Sequence, residues 1–280
     1  MTGFISVLLR SFKRAVKSTL HFLGYQLVPV SGVAAENVDF LAAKKIKDSH
    51  YYSQYVGPCP LFSPWLGNPD FKAFFDGVEP YTLVPPERCY ILLTLARNAV
   101  NVPGDFAECG VWKGGTTLML ARVLNGRSDK TLYLFDSFEG LPEVDREKDS
   151  WFQKGQYSAG SVTLVEDLLR DFKRTVNIRP GWIPNTFKGL ENRRYAFVHI
   201  DVDIYQSTLD CCKYFYPRMV PGGMMLFDEY AFAAAAGEKQ AVDEFFTDKP
   251  EIPIVLVTGQ ALVLKLPAPD DVGLATSRAA

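Results

Sequence analysis

At 280 residues, 48% hydrophobic and 22% charged, the chain has ordinary globular composition, enough for one large domain or one domain with an extension. Its formal net charge of -2 gives no whole-molecule reason to expect a nucleic-acid partner. No uncharged stretch is long enough to span a bilayer, and the N-terminus has no basic region followed by an uninterrupted apolar run. The five cysteines, Cys59, Cys89, Cys109, Cys211 and Cys212, contain no CxxC pair, so the expectation is a cytoplasmic chain with reduced thiols.

Residues 4–23 set Ile5, Leu8, Leu9, Phe12, Val16, Leu20 and Leu23 on one side at helical spacing, and Arg10, Lys13, Arg14, Lys17 and His21 on the other. This basic amphipathic helix is expected to cover its own domain; contact with an anionic membrane face and docking of a partner are its other readings. Residues 51–86 are rich in Pro, Gly and aromatics, which suits an irregular covering segment. The expected division is a covering region over 1–86, a nucleotide-binding domain over 87–266 and a disordered tail over 267–280. Covering segments at both ends point to a homo-oligomer.

A helix over Arg88 to Val100 leads into the stretch GDFAECGVWKGGTT. Asp105 to Cys109 reads as a short buried strand, Gly110 to Gly115 as a tight turn, and Thr116 onward as a helix. A glycine turn lets backbone N–H groups approach a ligand, and the helix N-terminus offers unpaired donors. Gly110, Gly114 and Gly115 do not spell GxGxxG, and no GK[ST] follows, so neither a dinucleotide nor a nucleoside triphosphate is well served. A nucleoside without phosphates remains. Glu108 would repel a phosphate but suits a cationic amine, and S-adenosylmethionine carries an ammonium and a sulfonium. Asp136 ends the next apolar run, where a ribose-binding acid is expected, although the gap exceeds the usual spacing of roughly 20 residues. The competing reading is a glycine turn that only packs helix on strand.

Residues 137–160 are polar and loop-like yet carry Trp151, Phe152 and Tyr157, the pattern of a lid or a disordered segment. Ser161 caps a helix beginning at Val162. A strand over Val176 to Arg179, an edge loop GWIPNTF and a strand over Tyr195 to Ile200 follow. A crossover helix spans Tyr205 to Arg218, Gly222 and Gly223 turn the chain into the strand MMLFDEY, and another helix spans Glu238 to Phe246. Two apolar runs around Gly259 and Gln260 predict a hairpin. The alternation predicts an α/β fold: a doubly wound, mostly parallel seven-stranded sheet with helices on both faces. The hairpin adds an antiparallel strand at its edge, the mark of a methyltransferase-type sheet.

Two consecutive core strands finish in carboxylates, Asp201 and Asp203 on one, Asp228 and Glu229 on the other. Acids so close repel, so either their pKa values separate or a cation sits among them. Oxygen donors point to Mg²⁺ or Mn²⁺; zinc is disfavoured because His21, His50 and His199 are scattered. Such an ion lowers the pKa of a coordinated oxygen, and Asp201 is the candidate base for an attacking hydroxyl. His199 shares a strand face with Asp201 and reads as a hydrogen-bonded partner, not a ligand. The competing reading makes these acids solvated turn and cap residues.

In order, FAECGVWKGGTT, LFDSFEGLP, VHIDVDIYQSTLD, VPGGMMLFDEY and GEKQAVDEFF resemble the macrocin O-methyltransferase family, Mg²⁺-dependent enzymes that use S-adenosylmethionine to methylate sugar hydroxyls on antibiotics. The resemblance covers roughly residues 86–266. It implies that Glu108, Gly110 and the turn through Gly114 to Thr116 hold the amino-acid end of the cofactor, that Asp136 holds its ribose, and that Ser161 lies near its adenine. It also implies metal binding by Asp201, Asp228 and Glu229, with Asp201 as base. Glu229 stands where those enzymes carry a second Asp, and its extra methylene moves the carboxylate outward. The alternatives are a catechol-like small-molecule O-methyltransferase and a catalytically inactive cofactor-binding protein that docks glycosyltransferases. A nicotinamide oxidoreductase is opposed by the missing GxGxxG.

Overall fold

The apolar runs of the sequence form the strands of one sheet. The structure, a computed structural model, describes residues 64–267. The basic helix expected over residues 4–23, Cys59 and the tail beyond Pro267 lie outside those residues.

The described chain opens with a helical turn, Pro64–Gly67, and helix α1, Pro69–Asp76, which Asn68 caps by accepting the Phe71 N–H. The expected irregular covering segment is therefore partly helical: Asn68 and Pro69 supply a helix start, and Phe71 and Phe75, four residues apart, bury one face. Helix α2, Pro86–Ala99, precedes β1, Asp105–Cys109; then come α3, Gly115–Val123, and β2, Leu132–Asp136. Residues 137–160 contain no helix or strand. Helix α4 is Val162–Leu168, with Ser161 accepting the Leu164 N–H at 3.2 Å as its cap. Strands β3, Val176–Pro180, and β4, Tyr195–Ile200, are followed by α5, Tyr205–Phe215, and β5, Met219–Phe227. Helix α6, Ala236–Phe246, and the hairpin of β6, Ile254–Val255, and β7, Ala261–Leu264, complete the order.

The strands form a seven-stranded sheet in the order β3-β2-β1-β4-β5-β7-β6, parallel except for β7. Two expectations change here. The antiparallel strand does not sit at the edge: β7 inserts between β5 and β6, pairing Phe227 with Ala261 and Met224 with Leu264. Gly222 and Gly223 do not precede β5 but lie within it. Tyr195 and Phe197 on β4 face Met219 and Met224 on β5, so extra residues bulge from β5, and Gly222, at φ 81°, supplies the left-handed turn.

Alternation along the strands divides the core. Phe106, Leu132 and Leu134 face α2 and α3 through Leu92, Ala96 and Leu120; Ala107, Tyr133 and Phe135 face the other layer, with Cys211, Phe215 and Val242 of α5 and α6. Cys89, Cys109, Cys211 and Cys212 are buried free thiols. No helix among the described residues is long and apolar enough to cross a membrane.

Candidate active site

The parallel strands end on one side of the sheet, and the cleft opens there, where loops after β1, β2, β4 and β5 meet. Its lining includes Thr82, Arg88, Gly110, Trp112, Thr116, Asp136, Tyr157, Trp182, Asp201, Asp203 and Glu229. Gly110 is indispensable to this geometry: a Cβ there would lie 1.7 Å from the Asp201 carbonyl oxygen, and its φ is 85°. The turn after β1 thus lies directly against the end of β4.

Asp136 organises the glycine turn. Its Oδ2 accepts the N–H groups of Val111 at 2.7 Å and Trp112 at 2.9 Å, and its Oδ1 accepts that of Phe138 at 2.6 Å. A carboxylate has about four acceptor sites, so one remains for a ligand hydroxyl. Gly110, Thr116 and Asp136 all line the cleft. Gly114, at φ 89°, instead meets Val165 and Leu168 of α4, and Ser161 caps that helix without lining the cleft. Glu108 is fully buried and absent from the lining: Thr117 donates its hydroxyl to one carboxylate oxygen, and His199 Nδ1 meets the other at 3.0 Å. Glu108 therefore shapes the site from beneath the turn.

His199 links three neighbouring strands. Its Nε2 lies 3.4 Å from Asp228 Oδ1, so the ring bridges Glu108 on β1 and Asp228 after β5. Burial alone would lower its pKa, but hydrogen bonds and charge from Asp228 and Glu108 override that and push it up to about 10. Each ring nitrogen thus faces a carboxylate oxygen, the arrangement that favours the protonated ring. Gln260, at the hairpin turn, donates to Asp228 Oδ1 at 2.7 Å.

Arg88, on the first turn of α2, completes this network. Its Nη1 lies 2.8 Å from Asp228 Oδ2 and 2.5 Å from Glu229 Oε1, and donates to the Asp228 carbonyl at 3.1 Å. Asp228 is held below the usual carboxylate range: burial opposes this, but Arg88 and His199 prevail. The other acids move the opposite way. Burial, reinforced by Asp228 and Asp203, pushes Asp201 well up; burial, reinforced by Glu229 and Asp228, pushes Asp203 up to about 7. Glu229 is raised, chiefly by burial, despite Arg88.

The predicted ligands Asp201, Asp228 and Glu229 fall in two neighbouring groups that share Asp201. Asp201, Asp203 and Glu229 each offer an oxygen, all within 4.8 Å of one another, and a second group joins His199, Asp201 and Asp228. Asp203 enters beside the cleft because its left-handed φ of 61° turns the chain back after β4. Three carboxylate oxygens gathered at a cleft fit a hard divalent cation. In Asp228, Oδ1 is claimed by His199 and Gln260, while the buried Oδ2 has no hydrogen-bond partner and lies 2.8 Å from Arg88 Nη1.

Supporting groups come from afar. Asp149, in the loop after β2, is 1% exposed and accepts the Tyr205 N–H at 3.0 Å, while a Cβ on Gly237 would lie 1.9 Å from its Oδ1. Glu238 on α6, also fully buried, accepts the Glu229 N–H at 2.9 Å. None of Arg88, Asp149, Glu238 and Gln260 was marked as a site residue by the sequence, although Glu238 falls in the GEKQAVDEFF motif and Gln260 at the predicted hairpin turn.

A sheet in this order, with a glycine turn after β1 and acids at the ends of β2, β4 and β5, defines a class I O-methyltransferase fold. Among solved structures the chain is similar to that of the O-methyltransferase NovP, with a TM-score of 0.58 and 26% identity, covering 67% of this chain and 83% of that one. The macrocin-O-methyltransferase (TylF) family profile matches residues 80–257, and the chain belongs to that family. It is 33% identical over 147 residues to the 8-demethyl-8-(2,3-dimethoxy-alpha-L-rhamnosyl)-tetracenomycin-C 4'-O-methyltransferase of Streptomyces olivaceus, covering 49% of this chain and 56% of the relative. It is 32% identical over 180 residues to the mycinamicin III 3''-O-methyltransferase of Micromonospora griseorubida, covering 59% of this chain and 70% of the relative. The chain thus spans little more than half the length of the first of these relatives.

Proposed function

We propose that this chain transfers a methyl group from S-adenosylmethionine to a hydroxyl of a sugar or glycoside, with Mg²⁺ or Mn²⁺ in the acid cluster. The observation that carries the reading is the gathering of Asp201, Asp203 and Glu229 on the cleft wall beside the Gly110 turn. When bound, the cofactor supplies a methyl group on a positively charged sulfur, and the ion supplies stabilisation of a developing alkoxide. Asp201, Asp203 and Glu229 would hold the ion, with Asp228 behind them.

The roles of the chain's own residues follow from their surroundings. The backbone around Gly110 and the α3 N-terminus at Thr116 suit the amino-acid end of the cofactor, and the spare acceptor site of Asp136 suits a ribose hydroxyl. Asp201 is the proton acceptor: its carboxylate lies on the cleft wall, gathered with Asp203 and Glu229. Alignment of the two reactants supplies much of the remaining acceleration. Among the described lining residues, Asp136, Asp201, Asp203 and Glu229 face Arg88 as sole cation, which favours a neutral acceptor over a phosphorylated one. The relative from Streptomyces olivaceus is named for a rhamnosyl-bearing tetracenomycin, which supports a sugar hydroxyl as acceptor.

The test is transfer of labelled methyl from S-adenosylmethionine to a panel of glycosides, sugar nucleotides and catechols, with Mg²⁺ and with chelator. Label on a neutral glycoside only with metal is the expected result. Label on a catechol alone would replace the acceptor, and transfer undiminished by chelator would remove the metal. No transfer by protein that binds the cofactor would favour a docking role.

A further inference from the structure

The acid cluster already contains a cation of its own. Glu108, Asp201, Asp203, Asp228, Glu229 and Glu238 crowd the ends of β1, β4 and β5, and His199 is committed to Glu108 and Asp228. Arg88 is left as the positive charge toward the cleft. Its position is unfavourable on two other grounds: it sits in the first turn of α2, at the positive end of the helix dipole, and it is only 7% exposed. Attraction to Asp228 and Glu229 explains both.

We propose that Arg88 is a built-in counter-cation of this cluster, and that a divalent ion binds there in competition with it. The inference rests on the metal-dependent reading above. The manner in which Arg88 is held fits a displaceable partner. Its contacts with the acids all use Nη1, and its buried Nε has no hydrogen-bond partner, so this is not the two-pronged fork of the strongest arginine–carboxylate pairs. Its guanidinium carbon also lies 4.7 Å from the centre of the Phe232 ring, a face on which a displaced guanidinium can rest. With Arg88 in place, Glu229 is shared; with Arg88 withdrawn, its carboxylate is free to join Asp201 and Asp203 around an ion. Arg88 is thus a positioning residue that sets how tightly the site takes metal and keeps the cluster from repelling itself when no metal is bound.

The test is titration of the full chain with Mn²⁺, following free ion by electron paramagnetic resonance, for the unaltered protein, Arg88→Gln and Arg88→Lys. Loss of a unit charge at this range in partly buried surroundings is expected to tighten Mn²⁺ binding by roughly tenfold or more in Arg88→Gln, while Arg88→Lys stays close to the unaltered protein. Equal or weaker binding by folded Arg88→Gln overturns the proposal and leaves the metal reading standing. Binding by Arg88→Gln alone upholds the proposal and removes metal from the unaltered protein's reaction. Binding by neither overturns both. If Arg88→Gln is too unstable to titrate, its melting temperature decides: the proposal requires Mn²⁺ to raise it more than that of the unaltered protein, and no rise overturns it.

Discussion

The ends of β2 and β5 both carry an aspartate, Asp136 and Asp228, yet the two regions satisfy those acids by different means. Asp136 accepts three backbone N–H groups from the turns beside it. Asp228 depends on side chains brought from α2, β4 and the hairpin turn: Arg88, His199 and Gln260. Backbone donors make an acid part of the loop. Side-chain cations make it part of a charge balance, and the neighbouring Asp201, Asp203 and Glu229 show that balance to be incomplete, since burial and mutual repulsion raise all three pKa values. The β2 end is therefore built for shape and the β4–β5 end for charge.

Substitutions on the two sides should separate these roles. Asp201→Asn is expected to lower kcat by about 10²- to 10⁴-fold, the usual contribution of a general base, with a melting temperature no lower than that of the unaltered protein, since it removes a buried repelled charge. Activity within tenfold of the unaltered protein would return Asp201 to a passive role. Asp136→Ala strips three N–H groups of their acceptor and is expected to cost about 1–3 kcal/mol in chemical denaturation, with weaker S-adenosylmethionine binding by calorimetry. Weaker binding without lost stability would make Asp136 a ligand contact more than an organiser.

The charge-built side should also respond to pH. An acid whose folded pKa is raised stabilises the fold most fully below its unfolded value, 3.8 for Asp203, and that contribution is lost as pH rises through about 7. The metal-free melting temperature should therefore fall between about pH 4 and about pH 7, less steeply in Asp203→Asn, and Mg²⁺ should offset the fall. Identical slopes for the two proteins would contradict this. The smallest effect belongs to Ser161→Ala, which removes the α4 cap, worth about 1 kcal/mol. Cofactor affinity should be unchanged; a matching loss of affinity would mean that Ser161 also reaches the adenine.

The sequence by itself determined the strands, the helices between them and the acids that end β2, β4 and β5. Each is a local property: an apolar run of strand length, a helical period, or a glycine turn such as Gly110 to Gly115 is legible from neighbours within a few residues. The family motifs likewise marked Gly110, Thr116, Asp136 and Asp201, all of which line the cleft. Tertiary structure decided which acids work together and what neutralises them. Asp203 joined Asp201 and Glu229 because of one left-handed backbone angle, and Glu108 withdrew beneath the turn because Thr117 and His199 claimed both its oxygens. Arg88 meets Asp228 across 140 residues of chain, and Gln260 meets it from the other side. Charge acts through space over distances that only the assembled sheet sets, so the partners of a buried acid have no signature in the residues beside it.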